Sequence, residues 1–135
     1  MKGFDLVKRL YAAVAAPDTD ALEACLHPDV VAIEAGALPY GGRYEGKKAF
    51  VRLIKALREH WSEFEVAELQ GFEQPTETGT ATINTFQFRA NSRRTGKKID
   101  QRFVEYWKLR DDQITFLKPF YFDTHEVRNI LGCAN

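Results

Sequence analysis

The hydrophobic period of this chain drops from helical spacing to two shortly after residue 61 and stays there through four segments. Before that point most apolar residues recur at helical spacing. Beyond it they alternate with period two through "FEVAELQGFE", "GTATINTFQFRA", "KKIDQRFVEYWKLR" and "QITFLKPFYFD". Turn material at "QPTETG", "NSRRTG" and "RDDQ" separates these segments, so they read as four strands joined by hairpins, an antiparallel meander. A meander that follows helices, rather than alternating with them, has to curl one face around those helices to bury it.

The helices are legible in turn. Phe4, Val7, Leu10, Tyr11 and Val14 form one stripe, Ala12, Ala13, Ala15 and Ala16 favour the helix, and Pro17 stops it. Asp18 is placed to cap a second short helix, "TDALEACL". A β-branched run, "DVVAIEA" (29–35), follows as a strand, then the turn-rich "GALPYGGRYEG". Residues 47–61 put Phe50, Leu53, Ile54, Leu57 and Trp61 on one side of a third helix. The expected fold is therefore α+β, a single domain over 1–135: a cone-shaped, curved antiparallel β-sheet wrapped around N-terminal helices, in the order α-α-β-α-β-β-β-β. Ten Phe, five Tyr and two Trp need a core or a pocket, and a cone lined by rings suits a hydrophobic small molecule.

Charge narrows the partners. Lys plus Arg and Asp plus Glu number 19 each, so no global field gathers nucleic acid or an anionic membrane surface. The one basic segment, "RANSRRTGKK" (89–98), carries hairpin-turn residues and no aromatics spaced to stack on bases. Cys25 and Cys133 are far apart and form no metal or redox motif, consistent with free thiols in a reducing compartment. The N-terminal segment has a charge every few positions and no apolar stretch long enough for a signal peptide or a span, so a cytoplasmic location is expected. Without GxSxG, HExxH, GxGxxG or P-loop patterns, the expectation is no metal and no cofactor, and chemistry left to carboxylates among aromatics.

Three stretches, "LHPDVVAIEAG", "GGRYEGKKAFVRLIKALREHW" and "YWKLRDDQITFLKPFYFDT", resemble the polyketide-cyclase-like (SnoaL-like) branch of the nuclear-transport-factor-two-like superfamily, which also includes ketosteroid isomerase. The resemblance covers nearly the whole chain and implies the same fold, while that scaffold hosts isomerases, cyclases, hydrolases, dehydratases and non-enzymatic binders. It matches Glu34 to the proton-shuttling aspartate of ketosteroid isomerase and Glu105 to that enzyme's second, protonated acid, with Glu in place of Asp at both. The place of its oxyanion tyrosine falls at about Leu10, with Tyr11 one residue off and turned about 100° away. Asp123 matches the late-strand aspartate of polyketide-cyclase-like enzymes, and it is also a good helix N-cap before "HEVRNIL".

Alternation places Phe103, Glu105, Trp107 and Leu109 on one face of their strand, the more apolar one. Glu34 has two readings, an acid in water at a strand end or an acid facing the pocket. If Val31 and Ile33 pack on the helices, Glu34 points the other way unless a bulge intervenes. The candidate site is thus Glu34, Glu105 and Asp123 for proton transfer, with Tyr40, Trp61, Phe86, Phe103, Trp107 and Tyr121 as substrate-binding residues. His27, His60 and His125 have no partner in sequence and are poor candidates. Paired Gly41 and Gly42 would let Tyr40 fold over the cavity mouth as a rim residue. An isomerase- or cyclase-type enzyme is expected, with a non-catalytic ligand-binding protein as the alternative. A homodimer through the outer sheet face, at Ile83, Thr85, Val104 and Tyr106, completes the expectations.

Overall fold

A computed structural model describes residues 2–134. Helix α1 (Lys2–Ala15) buries Leu6, Val7, Leu10 and Ala13. Helix α2 (Thr19–Ala24) starts where the Asp18 side chain accepts the Ala21 N–H at 3.0 Å, as the sequence suggests. Strands β1 (Leu26–Glu34) and β2 (Gly42–Glu45) form a short antiparallel pair, and helix α3 (Lys47–His60) buries Ala49, Phe50 and Leu53. The meander then runs β3 (Trp61–Pro75), β4 (Thr80–Ser92), β5 (Lys98–Arg110) and β6 (Gln113–Tyr121), before helix α4 (Thr124–Leu131).

The sheet order is β2-β1-β6-β5-β4-β3, so the expected meander is present and β1 is added beside its last strand. Two features differ from expectation. The sheet has six strands, not five, because the turn-rich connection after β1 folds back as β2; and β1 pairs with β6 in parallel, because α3 and the meander intervene before the chain returns. A fourth helix follows β6, nucleated by the same Asp123 cap that the sequence offered.

The curvature has a local cause. The register of β3 against β4 slips between Ser62 and Glu65 and again between Ala67 and Gln70. Glu63 and Glu68 sit inside those slips at φ 51° and 53°, as bulged residues forced into the left-handed region. Each bulge bends the strand and adds twist, which turns a flat meander into the wall of a cone. At the β5–β6 hairpin, Asp111 and Asp112 take φ 52° and 58°, as a tight primed turn requires.

Burial on β1 runs opposite to the expected phase. Val30, Ala32 and Glu34 are buried, while Val31 and Ile33 are half-buried on the other face. The run is apolar on both faces, so alternation alone does not choose a side. Glu34 faces inward without a bulge at its position. The loop after β1 closes tightly: a Cβ on Gly41 would lie 2.3 Å from the Ala35 carbonyl oxygen and 2.9 Å from that of Leu38. Gly41→Ala is expected to cost about 1–3 kcal/mol in urea unfolding, because rigid backbone has to move. Gly36→Ala, in open space on the same loop, should leave the midpoint unchanged.

Candidate active site

Between α1, α3 and the concave face of the sheet lies a cavity of about 100 Å³. Seven of the nine sequence-derived site residues line it: Glu34, Tyr40, Trp61, Phe86, Phe103, Glu105 and Tyr121. The rings pack edge to face or offset, Phe103 lying 4.6 Å from Tyr121 and 4.9 Å from Phe88 between centroids, which fixes the wall.

Glu34 is 6% exposed. The Tyr121 hydroxyl donates to its Oε1 at 2.6 Å. Burial pushes the Glu34 carboxyl up to about 8, a rise that the Tyr121 hydrogen bond partly opposes. Behind Tyr121 stands Tyr40, whose hydroxyl is in hydrogen-bonding reach of Tyr121 and accepts the Trp61 indole N–H at 3.2 Å. An indole nitrogen only donates, so Tyr40 is the acceptor there, and Tyr121 gives its one hydroxyl proton to the Glu34 carboxyl. Tyr40 is accordingly interior, 3% exposed, and not the rim residue the loop composition suggested. Its ring also packs against His60, which is itself anchored to the Ala56 carbonyl through Nδ1.

Glu105 is held differently. Its Oε1 accepts both the Tyr11 hydroxyl and the Trp107 indole N–H, the latter at 3.1 Å. Burial raises its carboxyl above the usual range, and the two hydrogen bonds work against that rise. Trp107, expected to bind substrate, is fully buried behind the wall and reaches the cavity only through Glu105. Tyr11 lines the cavity beside Leu10, contrary to the expectation that it turns away. With helix α1 flanked by the sheet on two sides, its inward arc is wide enough for both neighbours, and the Glu105 carboxyl draws the hydroxyl in.

Asp123 is not brought to the cavity. Its carboxylate accepts the Glu126 N–H at 3.0 Å as the cap of α4, and its own backbone pairs with Gln101. Residues that sequence reading left as helix or core stripes, notably Tyr11, Phe50, Leu53, Phe64 and Phe88, complete the lining. Their signal was the stripe itself; nothing in spacing separates a cavity wall from packed core. Among the described residues no cluster of three or more His, Cys, Asp or Glu is arranged to hold a metal ion, and no helix is long and apolar enough to cross a membrane.

A bent sheet closed by helices around a pocket with buried acids defines a protein of the NTF2-like fold. More narrowly, the chain belongs to the SnoaL-like domain family, whose sequence pattern matches residues 7–117. No curated protein matches the sequence significantly. An NTF2-like protein of unknown function from Burkholderia pseudomallei superposes with a TM-score of 0.80 at 21% identity, over 97% of this chain and 98% of that one. TerC, crystallised with polyporic acid, gives 0.81 at 17% identity over 98% and 99%. A protein of ketosteroid isomerase-like fold from Catenulispora acidiphila, in complex with trimethylamine, gives 0.75 at 11% identity over 96% and 93%. At these identities the likeness establishes the fold alone.

The raised carboxyls make stability depend on pH. Between about 4.5 and about 8 the folded protein keeps a proton on Glu34 that the unfolded chain releases, so stability falls as pH rises through that window and levels off above it. Glu34→Gln should flatten part of this slope and be more stable than the parent at pH 8. Urea unfolding of both proteins at pH 5.5 and pH 8 reads the difference, from which the groups they share cancel.

Proposed function

We propose that this protein is an isomerase- or cyclase-type enzyme that moves a proton beside a carbonyl group of a small apolar metabolite. Glu34 acts as the base, and Glu105 as the hydrogen-bond donor to the oxygen. The observation that carries this reading is the burial of two carboxyl groups in one apolar cavity with different hydrogen-bond partners. Ionised Glu34 takes a proton from the carbon next to the carbonyl. The C–H electron pair moves into the new C=C bond, and the carbonyl π pair moves onto oxygen. With both of its donors on Oε1, neutral Glu105 carries its proton on Oε2, and that O–H stabilises the oxyanion. Glu34 then returns the proton to a different carbon, or the enolate carbon attacks a second carbonyl of the same molecule. The resemblance to the ketosteroid isomerase acids supports these roles, and similar folds crystallised with small molecules support a ligand in the cone.

Size restricts the ligand. A cavity of about 100 Å³ is smaller than an engineered cavity of roughly 150 Å³ that admits benzene. At this volume a single ring already presses on the walls, and a fused polycycle requires them to part. A panel of monocyclic ketones, diones and aryl ketones incubated with the protein in D2O, followed by proton NMR, tests the chemistry before the natural substrate is known. Exchange at the carbon beside the carbonyl is expected for at least one member, rising with pH through about 8, where Glu34 is half ionised, and levelling off above it. Glu34→Gln should slow it at least about 100-fold with ligand affinity retained. Binding with no exchange above the protein-free rate would instead leave the scaffold a ligand carrier.

The same reading includes a homodimer. Phe72, Ile83 and Phe120 are exposed on the convex face of the sheet, where Ile83 pairs with Phe72 and Tyr106, and Val104 with Phe120. A contiguous apolar face of this kind supports pairing of two sheets. Light scattering at micromolar concentration should give twice the chain mass, and Ile83→Asp should reduce it to that of one chain.

A further inference from the structure

The acids reach the cavity from β1 and β5, and an arginine, Arg58, stands beside the wall that α3 forms. Of the eight half-buried lining residues, Tyr11 and Tyr121 are held by the acids, while Val14, Ile54, Leu57, Phe64 and Val66 cluster where the end of α1, the last turns of α3 and the start of β3 converge, which puts the mouth on that side. Arg58 does not line the cavity itself but flanks this cluster. Its guanidinium lies 5.1 Å from the Phe64 ring centroid, and Nη2 donates to the Val14 carbonyl, one helical turn along α1 from the Tyr11 that reaches Glu105. Capping the C-terminus of α1 explains that one hydrogen bond. It leaves the rest of the guanidinium unexplained: Arg58 has no carboxylate partner among the described residues, and its Nε is buried without any hydrogen-bond partner.

We infer that Arg58 anchors an anionic group, a carboxylate in particular, on the mouth-facing end of the ligand while the carbonyl end reaches Glu34 and Glu105. The fork of a guanidinium matches the two oxygens of a carboxylate, and one such pairing offers the orphaned Nε a partner after a small rotation of the side chain. Nearby charge agrees with this. Arg93 donates to the Arg58 carbonyl at 2.7 Å, adding a second positive group, and neither arginine is neutralised by an acid. The opposite orientation is disfavoured, because a ligand carboxylate at the deep end would meet two further carboxyl groups and no cation. Thus the cavity has a polarity: an apolar body of one ring, a carbonyl inward, an anion outward.

The inference rests on the cavity being the ligand site. The probes are 4-acetylphenylacetate, whose carbonyl and carboxylate lie at opposite ends of one ring, and its uncharged analogue 4-acetylphenylacetamide. Affinities are measured by calorimetry for the parent protein, Arg58→Gln and Arg58→Lys. The acid should bind the parent at least about tenfold tighter than the amide, the range of one charge-assisted pairing. Arg58→Gln should bring the ratio to near one with the amide affinity unchanged. Arg58→Lys, which keeps the charge and can still cap α1, should retain part of the preference and serves where the Gln variant folds poorly. A purely structural cap would lower the melting temperature and leave the ratio alone. A ratio that survives in Arg58→Gln overturns the anchor. Equal binding of acid and amide to the parent overturns it too and leaves the proton-transfer reading standing; binding of neither probe overturns both.

Discussion

Two carboxyl groups withdrawn from water within one small apolar space are the constraint around which this molecule is arranged. A buried acid without partners is expensive, and it answers by keeping its proton. Here each acid accepts one tyrosine hydroxyl, and Glu105 accepts an indole N–H as well. The partners differ in sense. At Glu105 both donors converge on one oxygen, which suits a neutral acid with a free O–H; at Glu34 one donor meets one oxygen, which leaves a carboxyl able to cycle between charged and neutral states.

That difference is delivered by backbone geometry. β5 is long and regular, so strict alternation stacks Phe103, Glu105, Trp107 and Leu109 on its inner face and lets Trp107 reach back two residues to Glu105. β1 is bounded by β2 and β6 and ends at Glu34, where the tight loop through Gly41 returns Tyr40 to the interior. Trp61 stands at the junction of α3 and β3, on the register that the first bulge of β3 sets. Moving any of these elements by one residue would turn a donor away from its acid.

Much of the architecture was legible because it rests on period. The meander, α1, α2, α3 and the inner face of β5 follow from spacing that only one structure satisfies. Less was legible wherever two faces were equally apolar or a side chain had two uses. "VVAI" hides its inward face for the first reason. Asp123 illustrates the second: the carboxylate that caps α4 is also the type that serves as a base, and only the position of its partner N–H decides. β2 was hidden because a four-residue strand in a glycine-rich turn has no period to read, and Tyr11 because the arc of α1 that faces the cone depends on how far the sheet wraps around it.

The identity of the acids also bears on what the cone can hold. Glu34 and Glu105 each carry one more methylene than an aspartate at the same place would. Both lie on strands that form the wall, so the extra length extends each carboxyl inward and takes up space that a ligand would otherwise fill. A longer side chain also has one more torsion to immobilise, and the Tyr121 and Trp107 hydrogen bonds provide that immobilisation on the two sides. What the cavity can admit therefore depends less on the sheet than on the few side chains that project from it.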